Sequence, residues 1–176
     1  TTAQKKEVFA NNSGWVVEAG STQTGNDNTD AQPEVLCCVG DLATGIGAAD
    51  ITEIEFITTA FDKSDGGNID VRVRFNEQVT VNTSGGTPTL TITNDTPSRN
   101  LTATYLSGST TNELIFRKTI AAANAATNAG DVLSIAANAM ALASGTIKDT
   151  ADGSTNATIT NSGAIGTAAG TITVAA

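Results

Sequence analysis

The chain has 176 residues, 18 acidic against 9 basic side chains, a formal net charge of −9 and no histidine. That length suits one domain with a single core plus an appendage. The acidic balance, with no arginine stripe, excludes a phosphate-backbone partner, and the missing imidazole excludes Ser-His-Asp and Cys-His catalysis.

Only 4% of the residues are aromatic, so the core must be slim and aliphatic, with little material for a deep apolar ligand pocket. No run of 18 apolar residues is present to cross a membrane as a helix, and the first twelve residues have no apolar core of the signal-peptide kind.

Residues 1–50 differ in texture from the remainder. Trp15, Val16 and Val17 form one apolar run and Val35 to Val39 another, separated by the polar stretch STQTGNDNTDAQP. Neither run can bury itself alone. Fully extended, a segment of this length spans on the order of 165 Å at roughly 3.3 Å per residue. It therefore reads either as an N-terminal arm that makes assembly contacts or as additional strands folded back on its own domain. In the arm reading the partner-binding residues are Trp15, Val16, Val17 and Leu36, with Trp15 as the anchor, because a large aromatic carries much of an interface's energy. Cys37 and Cys38, the only cysteines, are adjacent and cannot bridge without a strained turn. They read as two reduced, partly buried small apolar side chains; a vicinal redox switch or an intermolecular disulfide is the alternative.

From Asp50 the pattern becomes regular. Ile54 and Phe56 point inward while Glu53 and Glu55 point to solvent, and Asp62 to Gly67 turns the chain into NIDVRVRFNEQVTV, residues 68–81. There Ile69, Val71, Val73 and Phe75 share one face, and Asp70, Arg72, Arg74 and Asn76 the other: a half-buried strand of an antiparallel sheet. Leu90 and Ile92 alternate with threonines, as do Leu101, Ala103 and Tyr105, and Glu113 to Ile120 is a further strand. Ala121 to Ala129 is a loop or one helical turn. Val132 to Leu142 is a strand pair or one bent strand, and the Asp152-Gly153 turn leads to a closing strand at Asn156 to Thr160. The segment 161–176 is a tail whose Thr171 to Val174 forms a last strand or an edge strand open to a partner.

The succession GGNIDVRVRFNEQVTVNTSGGTPTLTI, ATYLSGSTTNELIFRKTI and LSIAANAMALASGTIKDTADGSTNATIT resembles the bacterial Ig-like repeat of large surface proteins and phage virion proteins. The resemblance covers roughly residues 51–160 and departs at Asp152 to Asn156, which is longer than the family's Ala-Gly-Asn turn. It implies an all-β, Ig-like antiparallel sandwich, preceded here by the extended N-terminal arm, and a scaffolding or adhesive role with no catalytic residues.

The function expected is a phage capsid decoration or cement protein, made in the host cytoplasm and located on the virion surface. Its partners would be the major capsid protein or other virion proteins, with a homo-oligomer as a further option. The alternative is a secreted adhesin or S-layer module that binds cell-surface carbohydrate. No cofactor and no enzyme activity are expected. The main candidate metal set is Asp62, Asp65, Asn68 and Asp70, with Asp149 and Asp152 a lesser one; their oxygens suit calcium, though the spacing of the first set does not match an EF-hand and acidic turns also arise for Asx-turn reasons. Glu53 and Glu55, two apart on one strand face, read as an ordinary solvated pair.

Overall fold

The computed structural model describes residues 7–24 and 27–176; Gly25 and Asn26, within the polar stretch expected to be a loop, lie outside the described residues. The chain is all-β. Its strands are β1 (Val8–Asn11), β2 (Gly14–Val17), β3 (Glu34–Cys38), β4 (Ile51–Phe56), β5 (Phe61–Asp62), β6 (Gly67–Asn82), β7 (Thr89–Asn94), β8 (Leu101–Ser107), β9 (Thr111–Ile120), β10 (Val132–Ser134), β11 (Met140–Ala141), β12 (Thr146–Asp149) and β13 (Ile172–Ala175). They join in one hydrogen-bonded network ordered β3-β2-β1-β6-β9-β8-β7-β10-β13-β5, with β4 and β12 also on β6 and β11 on β7.

β6 is the organising element. Its first half pairs antiparallel with β9 on one side, from Gly67↔Ile120 to Arg74↔Glu113, and with β4 on the other, including Glu53↔Arg74 and Glu55↔Arg72. Its second half pairs with β12, from Val79↔Asp149 to Asn82↔Thr146. The register breaks between Arg74 and Val79, and in that interval β1 makes its bridge, Ala10↔Glu77. Gly66, at φ 69°, lets the chain turn into β6 where a Cβ would lie 2.6 Å from the Ile120 carbonyl oxygen.

The alternation in the sequence is what fills the core. Ile69, Val71, Val73, Phe75, Leu90, Ile92, Leu114, Phe116, Leu133, Ile147 and Ile172 are fully or almost fully buried in one cluster, and Tyr105 packs edge-to-face on Phe116 with centroids 6.1 Å apart.

Several expectations are corrected by this arrangement. Of the two readings of the N-terminal segment, its described residues take the second and not the extended arm: β1, β2 and β3 form an antiparallel meander folded back on β6 as additional strands. Val16 and Val17 are therefore completely buried within the chain's own fold, and neither can present itself to a partner. Cys37 and Cys38 are free and exposed, not partly buried, because β3 ends the sheet and no described residue covers it. Residues 156–160 form only the isolated bridges Lys148↔Asn156 and Asp50↔Thr158, not a closing strand. β13 is no open edge; it lies between β10, antiparallel, and β5, parallel. A short helix at Gly163–Ala168, capped by Ser162 accepting from the Ile165 amide at 3.3 Å, precedes it where only a tail was expected.

Candidate assembly surface

The surface with the clearest capacity to bind is the outer edge of β3. This strand pairs with β2 alone, Gly14↔Cys38, Trp15↔Cys37, Val16↔Val35 and Val17↔Glu34. Between Trp15↔Cys37 and Val16↔Val35 the register slips, and Leu36 is the extra residue of the bulge. Gly14 permits the close approach of the two strands, since at φ 133° a Cβ there would sit 2.0 Å from the Cys37 carbonyl oxygen.

β3 exposes apolar groups as well as backbone. Leu36 is 55% exposed and Val35 48%; Val39 and Ile46 nearby and Trp15 (36%) on the adjacent strand add to them. Most of the large apolar side chains left in solvent thus lie between residues 15 and 46, and only Ile57 and Leu106 lie elsewhere among the described residues. An edge strand with open N–H and C=O groups and apolar side chains is a template for another strand. Natural edges are usually blunted with charge or proline; here the charges stand only at the ends, at Glu34 and Asp41.

The meander that carries this edge is fastened by charge. Arg74 is 5% exposed and donates from Nε to Glu113 and from Nη1 to Glu53 at 2.9 Å and Glu55 at 3.3 Å. Its Nη2 lies 3.9 Å from Glu18, the residue that follows β2. Burial works against the guanidinium charge, but Glu113, Glu53 and Glu55 more than offset it and hold the Arg74 pKa above its ordinary value. Glu18 is pushed up, first by burial and then by repulsion from Glu113, against the pull of Arg74. Arg72 shares Glu55 at 3.2 Å and Glu113 at 3.6 Å. Glu53 and Glu55 are thus part of a half-buried ionic network linking β4, β6, β9 and the meander, not a bare solvated pair.

Of the four residues proposed for binding, the structure brings Trp15 and Leu36 to the surface of neighbouring strands and places Val16 and Val17 inside. Three of the four candidate calcium ligands, Asp62, Asp65 and Asn68, line one open cavity beside β5 and β13, and Asp70 is not among its lining residues. Asp70 is engaged by Arg117 through two bonds of 2.7 and 2.6 Å; Asn68 accepts from the Thr119 hydroxyl at 2.7 Å. Asp62 accepts from the hydroxyl and amide of Ser64, both at 2.7 Å, which lowers its pKa. Among the described residues no group of three or more Cys, Asp or Glu is arranged around a common metal position.

Two residues of consequence escaped the reading of the sequence. Arg74 stands on the outward phase of β6, and its burial depends on the distant meander. Glu77, by contrast, could have been found: it continues the inward series Ile69, Val71, Val73, Phe75, so a carboxylate occupies an apolar phase.

Comparison of the chain with family models, curated proteins and solved structures finds no match.

Proposed function

We propose that this chain is a structural protein of a phage particle, a decoration protein that binds the outside of the capsid, with an Ig-like sandwich as its body and β3 as its docking edge. The observation that carries the reading is the exposed apolar edge at Val35, Leu36 and Trp15. It supports a protein that adds an extended strand of a neighbouring capsid subunit to its own sheet, where main-chain bonds supply affinity and the apolar side chains supply fit. The contact is passive: it buries area at the junction and resists its opening. One strand's width of contact is modest for a lone complex, but a shell repeats the site many times and multivalency raises its effect. The resemblance of residues 51–160 to virion Ig-like repeats supports the same assignment, as does a net charge of −9, which disfavours nucleic-acid binding.

Antibodies raised against the purified chain, used for immunogold microscopy on the virus and cell fractions of its source, test this reading. Regular label over capsid shells is the expected result. Label over cell envelopes and none over particles would overturn it and favour the adhesin. In reconstitution, the Leu36→Lys variant should fail to decorate shells that the wild-type chain coats.

A further inference from the structure

The base of the N-terminal meander, two strands from the β3 edge, holds an anomaly of its own. Glu77 is 1% exposed, and so is Asp149. Both stand in apolar phases of paired strands, Glu77 beyond Phe75 on β6 and Asp149 beyond Ile147 on β12. Since Asp149 is directly opposite Val79, Glu77 is its diagonal neighbour, within side-chain reach. Neither Glu77 carboxylate oxygen meets an N–H or hydroxyl donor among the described residues; its one side-chain hydrogen-bond partner is the Asp149 carboxyl, with which it can share a proton. The charged groups that act most strongly on Glu77 are Asp149, Asp50 just before β4 and Asp152 in the turn after β12, and all of them are acids. Asp152 is occupied with Ser154 and Thr155, and one Asp149 oxygen accepts from the Ala151 amide at 2.7 Å.

A buried carboxylate with no donor, facing a second one, is among the least tolerable arrangements in a protein interior. A proton shared by the two carboxyls or a cation between them relieves it. A cavity of about 320 Å³ opens directly onto Asp149, lined also by Asn11, Asn12, Ser13, Gln78 and Thr150. It lies between the β1–β2 turn and the end of β12, and its amide and hydroxyl oxygens are hard ligands in addition to the carboxylates.

We propose that Glu77 and Asp149 together hold one calcium ion, admitted from this cavity. The two carboxylates supply the charge; carbonyl-type oxygens of the wall and water complete the six to eight oxygens that calcium takes, a loose shell that magnesium, with its rigid octahedron, satisfies less well. The ion would sit beside the Ala10↔Glu77 bridge and would stabilise the junction of the meander with the body. Burial and then Asp149 push the Glu77 pKa up to about 8, in keeping with a pair short of one positive charge.

The test uses the full chain stripped of metal with a chelator and dialysed at pH 7 and constant ionic strength. Calorimetric titration with calcium chloride should give one site per chain, and the melting temperature should rise and saturate at about 1 mM calcium or below, the range of the weaker natural sites. Magnesium should bind at least tenfold more weakly. Glu77→Gln should weaken calcium at least tenfold, while its metal-free form melts no lower than the metal-free wild type, because the new amide can donate to Asp149. Asp149→Asn is the second variant and should lose calcium likewise. No heat and no melting shift at about 10 mM calcium, well above that range, would overturn the proposal and leave a shared proton as the counter-charge. Calcium binding retained in both variants would overturn it equally, by placing the ion elsewhere.

Discussion

Arg74→Met tests whether the ionic cluster under the meander holds the fold. In the wild-type chain two guanidiniums, Arg72 and Arg74, stand against four carboxylates, those of Glu18, Glu53, Glu55 and Glu113. The substitution leaves one cation against the same four acids, removes the hydrogen bonds to Glu113, Glu53 and Glu55, and substitutes an apolar chain of similar length at a site 5% exposed. Lost bonds to charged groups are worth about 1.5–3 kcal/mol each before relaxation. Glu18, with a side chain 30% exposed, can turn toward water and recover part of that. The net cost expected is about 3–5 kcal/mol, the usual result of removing one partner from a buried ion pair. Urea denaturation followed by Trp15 fluorescence and far-ultraviolet circular dichroism measures it. The deficit should also depend on pH. Glu18 is already pushed above its ordinary value against the pull of Arg74 and loses that pull in the variant, so the penalty is absent below about pH 4 and develops as pH rises. A loss under about 1 kcal/mol at pH 7, or a deficit that does not shrink in acid, would show that the cluster is solvated and the meander held by other means.

Arg117→Ala, which removes an equally well-formed pair with Asp70, should leave the urea midpoint close to that of the wild type in the same assay, because the Arg117 side chain is 37% exposed and its pair is screened by water. Phe116→Ala should cost about 3–5 kcal/mol by leaving a cavity beside Tyr105 and Val71. Leu36→Lys should leave urea stability within about 0.5 kcal/mol of wild type while abolishing particle decoration, since the side chain supports nothing in its own fold. In chelator, the Glu77 carboxyl titrates from an ordinary value of 4.5 to about 8 on folding. The raised value means that its contribution is fully present below pH 4.5 and declines until about pH 8, by up to about 5 kcal/mol from 1.36 kcal/mol per unit. The difference between wild type and Glu77→Gln across that window isolates it, and parallel stability profiles would refute the assignment.

The strands β6 to β9 were readable because each buries one face and wets the other, and a period of two survives any detail of tertiary packing. The same rule failed for Arg74 and Glu53, whose phase was read correctly but whose exposure was not: whether an outward face stays wet depends on what a segment some 50 residues away covers. It failed in the opposite sense at Val35 to Cys38, where an apolar run suggested burial and the strand instead closes the sheet as its last member. Hydrophobicity records that a strand can be covered, not that the chain itself covers it. The parallel pairing of β13 with β5, more than 100 residues apart (Val174↔Phe61), left no local signal at all. Glu77 was legible and was passed over, since an acid inside an otherwise apolar phase is the kind of local conflict that marks a site.

These features bear on one another through the meander. It reaches the body at the single β1–β6 bridge beside Glu77 and at Glu18 over Arg74, so both attachments are places where negative charge must be compensated: by a guanidinium at one, by the proposed calcium at the other. β3 lies two strands further out and has no contact of its own with the core cluster. The orientation and order of β3 are therefore inherited through β1 and β2 from these two attachments and from the buried side chains of Phe9, Ala10, Val16 and Val17. An edge held rigid loses less entropy when it adds a strand than one that must first be ordered. In this chain, electrostatic compensation beneath β1 and the readiness of β3 to pair are consequences of the same fold-back, and a change in either attachment should be felt at the edge although neither touches it.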